Sequence, residues 1–234
     1  LTDMGVEVHF FTGNHDIWTY GYLEEECGLI VHTKPETVEI YDKVFYIAHG
    51  DGLGDPDRRF AEDGLRILRG LRFAAELGFA VEPETAAALR RNAPRLQSLS
   101  PERVRTELQK LICGRAAAPV LREYIEVIGV VLPELLPMVG FAQNNPHHNR
   151  DVWEHTLTVL ENIPAEPVLR WAALLHDAEK PACCTVDAEG VRHFHGHQQK
   201  SAETAEAILR RLHCETRLIA DVTELIKIHD IRFP

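Results

Sequence analysis

The apolar run Trp171-Ala172-Ala173-Leu174-Leu175 ends on His176-Asp177, and no other stretch constrains the fold so much. A buried helix that closes on an imidazole and a carboxylate places both where desolvation is costly, unless something binds them. Histidines and acids recur around this junction: His147, His148 and Asp151, then His155, then His193, His195 and His197. His155 lies at helical steps of three and four from Val152 and Val159, on an inward stripe. His229 falls in step with Leu218, Val222, Leu225 and Ile226. Three helices thus each aim a histidine inward. One such residue reads as a hydrogen-bonded core histidine; several together read as ligands of a shared divalent cation, for which imidazole and carboxylate are suitable donors.

Three segments carry a resemblance: Gln143 to Leu157, Leu174 to Pro181, and Phe194 to Ala202 with Gly196-His197 and Ser201. They resemble the HD metal-dependent phosphohydrolase domain, in the version carried by bacterial tRNA nucleotidyltransferases, the CCA-adding enzymes and their poly(A) polymerase relatives. The resemblance implies a helical HD domain over residues 141–234. It also implies a Mn, Ni or Mg ion held by His155, His176, Asp177 and His197, with His229 a further ligand. Asp177 and Lys180 would be catalytic, on a phosphoester or cyclic nucleotide. Glu179 departs from the family, where Gly is usual, and brings a carboxylate close to the site. Cys183-Cys184 is near enough to be considered as an extra ligand, but free cysteine usually packs as a small core residue.

With no apolar run of about 18 residues, the chain reads as soluble and without a membrane span. Five cysteines, odd in number and without a C-x-x-C pair, point to reduced thiols and a cytoplasmic setting. The net charge of −11 is uneven: residues 58–115 hold 12 basic and 7 acidic groups, whereas residues 1–57 hold 2 and 12. An RNA partner would therefore meet the middle segment; a solvated arginine-rich helix face is the plainer reading.

In that segment Asp55-x-Asp57 reads as a turn, and Phe60 to Phe79 as one amphipathic helix with Leu65, Leu68, Leu71 and Ala75 inward. Arg59 to Arg69 resembles the neck of the CCA-adding enzymes, which implies that Asp63 and Arg66 address the Watson–Crick edge of an incoming base. At i, i+3 they could equally be a surface ion pair. Pro83 and Ser100-Pro101 mark helix starts, with Val104, Leu108, Leu111 and Ile112 as core positions and Gly114 as a stop. Residues 55–140 thus resemble the family's neck and RNA-binding segment. Arg66, Arg69, Arg90, Arg91, Arg95 and Arg105 are its candidates for gripping tRNA or another RNA.

Residues 1–54 differ in kind. Val6 to Phe11 alternates, and Thr37 to Ile40 with Val44 to Ala48 reads as a hairpin around Asp42-Lys43. Gly13-Asn14-His15-Asp16 and His49-Gly50-Asp51-Gly52 follow the strands and resemble calcineurin-like metallophosphoesterases of the UDP-2,3-diacylglucosamine pyrophosphohydrolase type. By that resemblance Asn14 and His49 are metal ligands and His15 faces the phosphate. The partner motifs of that family do not accompany them.

The expected fold is mainly α: a helical neck and body plus a helical HD domain, preceded by a small, incomplete α/β metallophosphoesterase-like piece. The expected function is that of a tRNA nucleotidyltransferase-family fragment or fusion without the catalytic head, which binds RNA through its basic body and hydrolyses phosphoesters at the HD site. Two alternatives stay open: a non-catalytic RNA-binding body, and a di-metal phosphoesterase completed by another chain. A homo-oligomer is compatible with the sequence.

Overall fold

The computed structural model describes residues 5–11, 22–32, 36–40, 43–47, 55–143 and 151–231. Eleven α-helices and three small two-stranded sheets are found among them, so the mainly α expectation holds. β1 (His9–Phe11) runs parallel to β2 (Ile30–His32), with α1 (Tyr22–Glu25) between them. β3 (Glu36–Ile40) and β4 (Lys43–Ile47) form the expected hairpin, with Ile40 opposite Lys43. Asn14, His15 and His49 lie outside the described residues.

Two expectations for the following stretch are corrected. Asp55-x-Asp57 opens a helix, α2 (Pro56–Glu62): the Asp55 carboxylate accepts the Arg58 N–H and Pro56 takes a first-turn position that needs no donor. The helix expected over Phe60 to Phe79 is two, because Asp63 is extended (φ −144°, ψ 102°) and accepts the Leu65 N–H at 3.0 Å, starting α3 (Leu65–Leu77) afresh. An aspartate's bond to the backbone two residues on competes with helix continuation. α3 stops at Gly78, whose φ of +76° suits a residue without Cβ. Leu65, Leu68, Leu71 and Ala75 are all buried, as the spacing predicts.

α4 (Pro83–Asn92), α5 (Pro101–Ile112), α6 (Ala117–Glu123) and α7 (Ile125–Ile128) complete the first half, with 3₁₀ turns at Ala93–Ser98 and Pro133–Met138. Val104, Leu108, Leu111 and Ile112 are buried under α3. Gly114 allows this approach: a Cβ there would stand 2.6 Å from the Ala75 carbonyl carbon, and the Ala116 N–H donates to that carbonyl at 2.8 Å.

The second half is α8 (Val152–Glu161), α9 (Pro167–Leu175), the hairpin β5 (Thr185–Val186) and β6 (Arg192–His193), α10 (His197–Arg211) and α11 (Thr216–Ile228). α9, apolar on nearly every side, packs against α5, α8, α10 and α11, which puts its C-terminal end at the centre of that half. Buried apolar residues run as one cluster from Phe60 to Ile226. Arg122 to Glu154 (2.9 Å) and Arg211 to Glu134 (2.6 Å) cross between the halves. Such half-exposed pairs are each worth about 0.2–1 kcal/mol, so the apolar seam dominates. At the turn between α10 and α11, His213 adopts φ 54°, its Nδ1 lies 2.5 Å from Glu102 Oε1, and its carbonyl accepts from Arg105. α5 thereby clasps the closed end of the α10–α11 hairpin.

Candidate metal centre

The centre is built from helix ends. His176 caps α9, His197 begins α10, and His229 follows α11, while His155 projects from α8. At each of the three ends the imidazole Nδ1 meets the backbone carbonyl three residues earlier: His176 to Ala173 at 2.8 Å, His197 to Phe194 at 2.7 Å, His229 to Ile226 at 2.6 Å. A carbonyl only accepts, so Nδ1 carries the proton. A neutral ring then presents a bare Nε2 lone pair. This is the arrangement by which proteins fix the tautomer of metal-binding histidines.

Those Nε2 atoms converge on Asp177, which is wholly buried. Its Oδ2 lies 3.1 Å from His176 Nε2 and 3.6 Å from His155 Nε2; its Oδ1 lies 3.3 Å from His197 Nε2 and 3.6 Å from His229 Nε2. Lys180 Nζ donates to Oδ2 at 2.7 Å and reaches Gln143 Oε1 at 3.4 Å. Oδ1 has ion-pair neighbours but no aligned hydrogen bond. Burial pushes the Asp177 carboxyl up, and the imidazoles of His176, His197 and His229, when they also carry a proton on Nε2, more than offset it, holding the group well below the usual carboxylate range. Burial pulls His229 down, but Asp177, the Ile226 carbonyl and Asp230 raise it above the ordinary imidazole value.

Lone pairs directed at an anion repel it unless a proton or a cation lies between. Two triads, His155/His176/Asp177 and Asp177/His197/His229, each bring one donor per residue within 4.8 Å of one another. Nitrogen and carboxylate oxygen at these separations suit Zn²⁺, Ni²⁺ or Mn²⁺, so the residues fit a divalent cation. Neither Cys183 nor Cys184 joins either triad. Glu179 is tied to α10, its carboxylate accepting from the Thr204 hydroxyl at 2.7 Å and its N–H donating to Ser201 Oγ at 3.1 Å. It does not line the cavity that opens above the centre.

That cavity has a volume of about 890 Å³. His155, His176, His197, His229 and Lys180 line its polar end, and Val159, Ile163, Leu169, Leu225, Ile228 and Phe194 its apolar wall. Sequence reasoning passed over Asp230, whose carboxylate lies 3.4 Å from His197 Nε2 and accepts from Gln198 at 3.0 Å. Adjacency to His229 was its only signal. Arg192, which lines the same cavity and stacks over Phe141 at 4.8 Å, was missed for want of any motif.

A family model described as the probable RNA and SrmB-binding site of polymerase A matches residues 78–138. The chain is 39% identical over 186 residues to a CC-adding tRNA nucleotidyltransferase from Thermus thermophilus, an alignment that covers 74% of this chain and 43% of that protein. An A-adding tRNA nucleotidyltransferase from Deinococcus radiodurans is 36% identical over 185 residues, covering 74% and 42%. Over about three quarters of its length this chain is similar to tRNA nucleotidyltransferases. A CCA-adding enzyme from Limosilactobacillus fermentum is 48% identical over 64 residues, 27% of this chain and 16% of that one. The chain spans about two fifths of the length of the first two relatives.

The candidate RNA contacts of the basic middle segment are engaged internally. Asp63 pairs with Arg103 at 3.1 Å, and Arg66 turns to the Arg59 carbonyl and Glu62, so the two do not pair with each other. Arg69 meets Glu107, Arg90 meets Glu123 and Glu126, Arg91 meets Asp57, Arg95 meets Asn92, and Arg105 meets the His213 carbonyl. Among the described residues no helix is long and apolar enough to cross a membrane.

Proposed function

We propose that residues 141–234 form an HD-type phosphohydrolase unit, dependent on Mn²⁺, Ni²⁺ or Mg²⁺, and that residues 55–140 form a neck and body that bind tRNA or another RNA. The observation that carries this reading is the convergence of four Nε2 atoms on one buried carboxylate, from histidines that themselves line a cavity. Histidines 155, 176, 197 and 229 with Asp177 would hold the cation. A divalent cation there supplies Lewis acidity toward a phosphoryl oxygen and toward water.

The chain's own residues do the rest. The carbonyls of Ala173, Phe194 and Ile226 keep each Nδ1 protonated and each Nε2 open. Lys180, buried beside Asp177, brings a fixed ammonium to the phosphate end and offsets its charge. The apolar wall excludes water and takes a nucleoside's ring face, which favours a nucleoside phosphoester such as a 2′,3′-cyclic phosphate. Glu179, held on α10, leaves this arrangement intact.

The test is hydrolysis of 2′,3′-cyclic AMP and p-nitrophenyl phosphate by metal-stripped protein titrated with Mn²⁺, Ni²⁺ and Mg²⁺, beside Asp177→Ala and the half-exposed His155→Ala. Turnover that needs metal and falls at least about 100-fold in both variants supports the reading. Absence of turnover from folded protein with every metal sinks it. The surviving alternative is then the RNA-binding body, favoured by the family match over residues 78–138. Its signature is metal-independent RNA binding that weakens steeply with salt.

A further inference from the structure

Two side chains of fixed positive charge line the cavity, Lys180 and Arg192. Lys180 is matched by Asp177 at 2.7 Å, and the imidazole next to Arg192, His193, is taken up by Asp187 at 2.6 Å. Arg192 has no such match. Among the described residues its partners are the Ala142 carbonyl, which accepts from Nη1, and the Phe141 ring, whose centroid lies 4.8 Å from Cζ. We propose that Arg192 anchors a second phosphate, so that the pocket takes a nucleotide phosphorylated at both ends of its sugar. One phosphoester sits at the histidine end and the other, a 5′-phosphate, on the guanidinium. This rests on the phosphohydrolase reading above and deepens it by naming what else the substrate carries.

Three observations converge. A guanidinium offers five N–H donors in a fixed fork, and one carbonyl does not exhaust them; the fork matches two oxygens of a phosphate. Next, the group is held in advance. Phe141 supports its face, and Ala142 is itself bridged antiparallel to Asp151 at the start of α8, so little freedom is left to lose on binding. Finally, Gln143, the residue after Ala142, meets Lys180 Nζ through Oε1 at 3.4 Å. The two cations are therefore anchored on adjacent residues, about 3.8 Å apart along the backbone. Phe194 stands between them, its ring 6.4 Å from that of Phe141 and 5.7 Å from Lys180 Nζ, an apolar face for a sugar.

The arginine fork also fits the O6/N7 edge of guanine. The charge decides between the two: a half-buried cation without a carboxylate is offset by an anion and not by a neutral base edge.

The experiment compares adenosine 3′,5′-bisphosphate with adenosine 3′-phosphate for binding to the full chain by equilibrium dialysis, with chelator and with Mn²⁺. KM and kcat are measured in parallel for adenosine 2′,3′-cyclic phosphate with and without a 5′-phosphate. Arg192→Gln removes the charge yet can still donate to the Ala142 carbonyl, Arg192→Met stands in where it misfolds, and Arg192→Lys returns a point charge. Expected is binding of the bisphosphate about tenfold tighter in wild type, a ratio that falls to within about twofold in the neutral variant and recovers in part in Arg192→Lys. The same ratio should appear in KM and not in kcat. Equal affinities in wild type overturn the second-phosphate site and, where the cyclic compound is turned over, leave hydrolysis standing. A wild-type ratio that survives in the neutral variant overturns the assignment to Arg192. Preference for guanosine over adenosine 3′-phosphate, lost in that variant, with no effect of the 5′-phosphate, overturns the phosphate in favour of the base edge. The expected ratio in binding without turnover by any metal overturns the hydrolase alone.

Discussion

Breaking the Asp177–Lys180 pair is the sharpest test of how the centre is held together. Asp177 is 0% exposed and the Lys180 side chain 8%, with the charged atoms 2.7 Å apart. On the surface such a pair contributes about 0–1 kcal/mol. Here neither partner can turn to water, and removing one costs about 3–5 kcal/mol because the other stays buried and uncompensated. For a chain of this size each kcal/mol lowers Tm by about 2–4 °C, so Asp177→Ala should lose roughly 6–20 °C. Lys180→Met should lose less, because a protonated His229, raised above the ordinary imidazole value in part by Asp177, can still offset the carboxylate. The double variant removes both charges and leaves neither stranded, so its loss should fall short of the sum by about 1–3 kcal/mol. The assay is urea unfolding with chelator present, so that bound cation does not enter the comparison. Additivity within about 0.5 kcal/mol would refute the reasoning.

Two further outcomes concern the scaffold. Gly114→Ala drives a Cβ to 2.6 Å from backbone of Ala75 and should cost about 2–3 kcal/mol, whereas Gly129→Ala meets the side chain of Leu136, a residue 42% exposed that can turn aside, and should cost under about 1 kcal/mol; thermal melts in which Gly129→Ala is the worse would contradict the packing. Burial raises the Glu134 carboxyl, but Arg211 and a backbone N–H hold it below its ordinary value. Its contribution is therefore complete above the unfolded pKa of about 4.3 and disappears as pH falls through the lower folded value. Glu134→Gln should be about 1 kcal/mol less stable than wild type at pH 6, with the gap narrowing as pH falls below about 4, by urea midpoints; a gap that widens on acidification would be inconsistent with this account.

Much of the centre was legible because helical periodicity turned His155 and His229 toward one interior and an apolar run ended on His176-Asp177. Periodicity reports which face a residue takes, and here the faces agreed. What it does not report is the partner a long side chain selects. Arg66, Arg90 and Arg105 read as an RNA-facing series, yet their guanidinium groups find Glu62, Glu126 and the His213 carbonyl, the last of them 108 positions away in sequence. The break at Asp63 was missed for another reason. Apolar spacing continued across it, and a side chain's bond to the backbone two residues on outweighed that spacing. Asp230 illustrates a third limit: its role comes from lying near His197, which sequence separation conceals.

The clasp at His213 has a mechanical consequence. It holds the α10–α11 hairpin at its closed end, while His197 and His229 stand at the open end. α10 has 15 residues, a rod of about 22 Å at 1.5 Å per residue. A tilt of about 3° at the pivot moves the far end by about 1 Å, a displacement of the size that costs enzymes about 100-fold in rate. Glu102 and Arg105, on a helix of the segment matched to RNA binding, therefore act as the fulcrum of a lever whose working tips are two imidazoles.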